Sequence, residues 1–319
     1  IAPQLVLSRR FTPCLLGKKM KNRNVLVIGD SILDHEIFCD ALGLSLETPT
    51  LKASLQREEF CFGGASNVVN NLLALGTRVT YATPVAEDSF AIHYETWEDP
   101  LLTLKPLRFS GQNVVKSRYW ISRGDQSYKY LQINQGTKYQ DSSVVKNSIY
   151  AIAPNFDVAM LIDYRGGLFD NEEDTENIIT TLRSMGLAVY AASQVSDHSS
   201  RYHFFRGANL ICLNASEAAT VSQGFKPTTD EVVKLSKILD ARVCVTLGSA
   251  GSIIQTSAGV LSAPASAVTA VDTCGAGDSF LAALVASDED LIFSNKWAAA
   301  ATQHIGTYTP NLEEVLSWE

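Results

Sequence analysis

The sequence predicts an α/β protein in which helices flank a doubly wound, mostly parallel sheet, and two observations lead there. Short continuous apolar runs each end on a glycine or a polar residue: Val25-Leu26-Val27-Ile28 before Gly29-Asp30, Val158-Ala159-Met160-Leu161-Ile162 before Asp163, and Leu210-Ile211-Cys212-Leu213 before Asn214. Runs of that length without polar alternation read as strands buried on both faces, the condition of a parallel sheet. Between them lie stretches with apolar residues at helical spacing, so strand and helix alternate along the chain. In such sheets ligands gather beyond the carboxyl ends of the strands.

Bulk properties narrow the function. A chain of 319 residues with 46% hydrophobic and 19% charged residues has enough apolar content for one large core. Its net charge of −8 offers no basic field for a polyanion, which argues against nucleic acid as a partner. Any positive potential must therefore be local. Cys14, Cys39, Cys61, Cys212, Cys244 and Cys274 are scattered without a C-x-x-C pair, the pattern of free thiols in a reducing compartment. No run of about eighteen apolar residues is present, so no membrane partner and a cytoplasmic location are expected. Residues 1–22 mix apolar and basic types interrupted by Pro3 and Pro13, which suggests a peripheral helix or arm before one main domain over 23–319.

In chain order, Val25–Ile28 is the first core strand, and Asp30 and Asp34 follow its end. Asp30 reads as a cap or a solvated acid. A carboxylate such as that of Asp34 accepts hydrogen bonds from two hydroxyls at once, which suits a sugar. From Glu36 to Phe62 the pattern loosens around Thr48-Pro49-Thr50, as expected of short lid strands over 36–62. Gly63-Gly64-Ala65-Ser66-Asn67 leads into an apolar helix closed by Gly76. Val79–Val85 is a strand, and Glu87-Asp88 opens a helix expected to run to Trp97.

Residues 113–121 and 128–134 form a hairpin-like pair, the second part of a lid over 112–134, and its alternation places Lys116 and Arg118 on one face. After Val158–Ile162 comes Asp163-Tyr164-Arg165-Gly166-Gly167, and after Leu187–Ala192 comes Ser193-Gln194. Asn214-Ala215-Ser216-Glu217 has the spacing of a capping box. Arg242–Ser252 reads as strand, glycine turn, strand, with Thr246, Gly248 and Gly251 in the turn. Trp297–Gly306 is a helix of small residues, and the Ser287–Ser294 connection before it looks short. His304 reads as a packing or surface residue.

The stretch with most chemistry is Asp272-Thr273-Cys274-Gly275-Ala276-Gly277-Asp278, followed by the buried helix Phe280–Ala286. A bare loop that opens into a helix presents N–H groups without intrahelical partners at the positive end of the macrodipole, a place for phosphate or a developing oxyanion. Asp278 lies in that first turn and can reach the same space as a general base. The plainer alternative is a capped helix with Asp278 complementing the dipole.

The order D-T-x-G-A-G-D resembles the C-terminal signature of the ribokinase-like, or PfkB, carbohydrate kinases, and G-G-x-x-x-N at Gly63, Gly64 and Asn67 resembles their N-terminal one. The resemblance runs from about Val25 to Gly306 and implies a ribokinase-like fold and an ATP-dependent sugar kinase. It gives Asp278 the role of base, and Gly275, Ala276 and Gly277 that of anion donors. Asp34, Gly63, Gly64 and Asn67 would grip the sugar, and Thr246, Gly248, Gly251, Thr273 and Asn214 would hold ATP. Asn214 and Glu217 would organise Mg²⁺ through water, and the family often needs a monovalent cation such as K⁺. Within the family, D-Y-R-G-G and the lid K-x-R are similar to heptose 7-phosphate kinases, which puts Lys116, Arg118, Asp163 and Arg165 near the substrate. Ala192-Ser193-Gln194 departs from the D-P-K of that branch. A ketose, ribose or nucleoside kinase, or a non-catalytic sugar or nucleotide sensor, therefore stays open, and the lid is an expected homodimer contact.

Overall fold

The computed structural model describes residues 23–124, 126–140, 155–195 and 199–318, so the expected arm over 1–22 lies outside the described residues. Among those described, nine strands form one sheet. In chain order they are β1 (Asn24–Gly29), β4 (Arg78–Ala86), β5 (Leu102–Phe109), β8 (Val158–Asp163), β9 (Ala188–Ser193), β10 (Leu210–Asn214), β11 (Arg242–Thr246), β12 (Ser252–Thr256) and β13 (Gly259–Ala263). Their spatial order is β13-β12-β11-β10-β9-β8-β1-β4-β5. All neighbouring pairs from β5 to β11 are parallel, and β12 and β13 add antiparallel at one edge.

Alternation along the strands feeds two cores. Leu26 and Ile28 of β1 pack with α3 (Glu172–Ser184) and α5 (Thr229–Leu239) on one face of the sheet. Val25 and Val27 pack on the other with α1 (Ala65–Ala74), α6 (Ala276–Ala286) and α7 (Leu291–Ala301). Because both faces are covered, β1 and β8 need apolar side chains at every position, which is why they read as unbroken runs.

The second sheet is the lid, in the order β3-β2-β6-β7, with β2 (Ser31–Leu44), β3 (Leu51–Gly64), β6 (Val115–Arg123) and β7 (Gln126–Gln135). Its placement agrees with the sequence reading, but β2 and β3 are 14 residues each rather than short. Register shifts at Phe38/Cys39 and Ala41/Gly43 interrupt the alternation that sequence reading relies on. Asp34 thus sits within a lid strand and not at the end of a core strand.

Two helices also differ from expectation. Only α2 (Ala91–Glu95) forms where a helix from Glu87 to Trp97 was expected. The Asp88 carboxylate accepts from the backbone of Phe90 and from both the backbone and side chain of Asn113, so it pins the β5–β6 connection. The helix expected over Trp297–Gly306 is α7, capped at Asp290 and ended by Ala301. The short connection before it is a tight turn, with Asp288 and Glu289 at φ 60 and 65°. A bidentate Arg242 pair at 2.7 and 2.8 Å fixes Glu289 in that turn.

Candidate active site

Beyond the carboxyl ends of β8, β9, β10 and β11 lies a cavity of about 210 Å³, walled on its far side by the start of α6. Gly275 precedes α6 at φ 74°, and a Cβ there would collide with the Asn67 amide. A side chain at 275 is therefore excluded twice, by backbone conformation and by space. Asp272 braces the loop, its carboxylate accepting from Cys274 N and Gly306 N, both at 3.0 Å. Gly275, Gly277 and Asp278 line the cavity. Ala276 does not line it, and its N–H leans back to Thr273 O at 3.3 Å, so of the three expected anion donors it is the one drawn into the turn. Thr273 is exposed outside the cavity wall.

The Asp278 carboxylate is held on both oxygens. Tyr164 Oη donates to Oδ1 at 2.6 Å, and Asn67 Nδ2 donates to Oδ2 at 3.0 Å. Burial pushes the carboxyl up to about 6, while Tyr164 and Asn67 oppose that rise. A carboxylate so placed is ionised at neutral pH yet basic enough to take a proton. Asn67 is itself fully buried, and its Oδ1 accepts from Asn71, so its orientation is set.

Asp34 rises from the lid toward the same region. Its Oδ1 lies 2.8 Å from Arg118, whose guanidinium also donates to Glu36 at 2.7 Å. Trp120 Nε1 completes the cluster by donating to Glu36. Arg118 is the one donor group near Asp34 Oδ1 among the described residues, and a carboxylate oxygen has two lone pairs, so Oδ1 keeps an open acceptor site inside the protein. Burial raises Asp34, against the opposing charges of Arg118 and Lys116. Gly63 lies directly beneath the Asp34 carboxylate, and Gly64 abuts the backbone of Asp30. Lys116 is paired in register with Asp34 on β2 and has no ion-pair or hydrogen-bond partner among the described residues.

The metal and nucleotide candidates fall on the opposite wall. Asn214 caps α4 (Ala215–Val221) in a full capping box: Asn214 Oδ1 accepts from Glu217 N, and Glu217 Oε2 accepts from Asn214 N. Tyr202 also donates to Glu217 Oε2, at 2.8 Å. Glu217 Oε1 receives no hydrogen bond from a described residue, so an oxygen ligand remains for a hydrated divalent cation, which suits Mg²⁺. Thr246 lines the cavity, whereas Gly248 and Gly251 shape the hairpin turn behind it.

Several residues are placed differently from the sequence reading. Arg118 is not a free cation, being consumed by two lid carboxylates. Asp163 lines the cavity, but its carboxylate is fully buried and accepts from Arg165 N and Ser193 Oγ. Arg165 adopts φ 62° and donates to the carbonyls of Gln194 and Ser199, away from the cavity wall. Asp30 is neither a cap nor solvated: its carboxylate accepts from the N–H groups of Tyr164, Gly166 and Leu168. Any side chain at Gly166 would strike that carboxylate, which explains the glycine in D-Y-R-G-G. Burial pushes the Cys274 thiol up to about 11, which suits a small residue filling the turn. Sequence reading gave no role to Tyr164, although the motif contained it, and no local signal marked Tyr202.

Comparison with known proteins agrees with this geometry. The model of the pfkB family of carbohydrate kinases matches residues 128–314, more than half of the chain. The chain belongs to this family. It is 30% identical to the bifunctional protein HldE of Nitratiruptor over 94% of its length, and 28% identical to that of Campylobacter curvus over 92%. It spans 65% and 64% of those two proteins, a little under two thirds of each. The fold is shared with a ribokinase from Thermotoga maritima, at a TM-score of 0.71 and 19% identity over 92% of this chain and 98% of that one. It is shared also with phosphofructokinase-2 from Escherichia coli, solved in complex with potassium, at 0.73 and 17% over 92% and 97%. The chain thus has the ribokinase-like α/β fold and belongs to a family of carbohydrate kinases.

Proposed function

We propose that the acceptor is a sugar phosphate of the heptose 7-phosphate type. The observation that carries this reading is Lys116, which makes no hydrogen bond or ion pair with a described residue and stands beside Asp34 and near the Asp278 base, its charge felt by both. Asp34 and Asn67 accept and donate to sugar hydroxyls, and Lys116 meets the phosphate. Asp278 takes the proton of the acceptor hydroxyl as its oxygen attacks the γ-phosphorus of ATP. The amides of Gly275 and Gly277, at the positive end of α6, stabilise charge on the transferring group. Asn214 and Glu217 would hold Mg²⁺, which when bound would supply charge neutralisation on the phosphate oxygens.

A second reading, a kinase for an unphosphorylated sugar or nucleoside, is favoured by the loss of Arg118 and Arg165 to internal partners and by Ala192-Ser193-Gln194. ADP release over free and phosphorylated heptoses, ketoses and ribose separates the two. The proposal expects a phosphorylated heptose to exceed its unphosphorylated parent in kcat/KM by at least about tenfold, with Lys116→Met removing most of that preference. Preference for free ribose or a nucleoside sinks it. Replacing K⁺ by Na⁺ in the same assay tests the monovalent cation. Exposed Leu42, Leu44 and Leu55 on the lid support a homodimer through it, which sedimentation of this chain decides.

A further inference from the structure

Asp278 could be oriented by its helix alone, yet two residues from separate elements converge on it and a third links those two. Tyr164 follows β8, Asn67 lies in the first turn of α1, and Asp30 follows β1. Asp30 touches both of the other elements. Its carboxylate accepts from Tyr164 N at 3.0 Å, and its carbonyl accepts from Ala65 N, the first residue of α1, also at 3.0 Å. We propose that Tyr164 is a positioning residue for phosphoryl transfer: with Asn67 it clamps the Asp278 carboxylate from both sides, and Asp30 ties the two jaws together. This rests on the reading of Asp278 as the base.

Physical chemistry favours a clamp made of neutral donors. A carboxylate in a cavity with no guanidinium or ammonium on its wall must find its stabilisation elsewhere, and a phenol 2.6 Å away supplies a strong charge-assisted hydrogen bond. Burial keeps the Tyr164 hydroxyl well above its ordinary titration range, so it remains a donor throughout. A cation in its place would hold the carboxylate ionised but too weak a base. The other groups facing Asp278 are Asp34 from β2, Lys116 from β6 and Cys274 from its own loop, with Asp163 and Glu217 on the same cavity. None of these hydrogen-bonds the base among the described residues, so its two oxygens are fixed by Tyr164 and Asn67.

The test is the pH profile of kcat/KM for the wild-type chain, Tyr164→Phe and Asp278→Asn. Because burial pushes the Asp278 carboxyl up to about 6, the acidic limb of the wild type is expected near that pH. Losing the phenol's hydrogen bond moves that limb up by about one pH unit in Tyr164→Phe, so activity at pH 6 falls about fivefold and recovers by pH 9. Incorporating 3-fluorotyrosine at 164 keeps the ring and strengthens the donor, which moves the limb down and guards against a folding defect in the phenylalanine variant. Lost turnover in Asp278→Asn with an unmoved limb in both Tyr164 variants overturns the clamp alone. Retained turnover in Asp278→Asn overturns the base and the clamp with it.

Discussion

Two buried carboxylates, Asp278 on the body and Asp34 on the lid, serve the same substrate region but are held in opposite ways. Asp278 is fixed by two neutral donors, a phenol and an amide. Asp34 is fixed by a guanidinium that it shares with Glu36. Burial raises both, but only Asp34 has a full positive charge at 2.8 Å to oppose the rise. The difference assigns their work. A group that must take a proton needs donors that orient it without suppressing its basicity. A group that only accepts hydrogen bonds from sugar hydroxyls gains from a cation that keeps it charged.

The largest effect expected from breaking this contrast is at the base. Asp278→Asn keeps shape but removes proton acceptance, and kcat should fall by about 10²–10⁴ with the melting temperature nearly unchanged. In the wild type the sign follows from the raised carboxyl: below about 6 Asp278 is protonated and idle, so activity rises with pH through that value and then levels. Turnover in Asp278→Asn within tenfold of the wild type at pH 8 removes the distinction between the two acids.

The same contrast explains what the sequence revealed. The placing of Gly63, Asn67, Asn214, Glu217 and Asp278 was legible because it depends on spacing within one loop and the helix it opens. The α/β order was legible because β1 and β8 are buried on both faces and carry no polar alternation. The clamp was not legible: Tyr164 reaches Asp278 across 114 positions and Asp30 reaches Tyr164 across 134, and no local pattern encodes such contacts. Nor was the neutralisation of Arg118, because K-x-R on a strand fixes a shared face but not which acids the neighbouring strand presents to it. The lid strands were misjudged in length because their bulges break the two-residue period.

The lid side of the comparison breaks at Arg118. Its side chain and those of Asp34 and Glu36 are 9%, 4% and 6% exposed, so Arg118→Leu leaves two carboxylates buried without their cation. Removing one partner of such a buried pair costs about 3–5 kcal/mol. Hydrogen exchange along β2 and β6 should accelerate and the sugar KM should rise at least about tenfold, while the ATP KM, set on the opposite wall, changes little. Unchanged exchange in β2 would mean that the lid does not depend on this cluster.

The smallest change sharpens the comparison most. Gly63→Ala adds one methyl group whose carbon would overlap the Asp34 Oδ2, at a position whose φ is not in the left-handed region. The backbone there is held by the β2–β3 ladder, with Gly63 paired to Ile32, so the side chain must yield rather than the strand. Clearing so close a contact takes more than a few tenths of an ångström, so the Asp34 carboxylate moves off its present place and misaims its acceptor toward the sugar. The expected result is a sugar KM about tenfold higher, with kcat and the pH profile unchanged, because Asp278, Tyr164 and Asn67 are untouched. A fall in kcat with KM constant would instead mean that Asp34 acts on the reacting hydroxyl itself, and that the two carboxylates share the work they are here assigned separately.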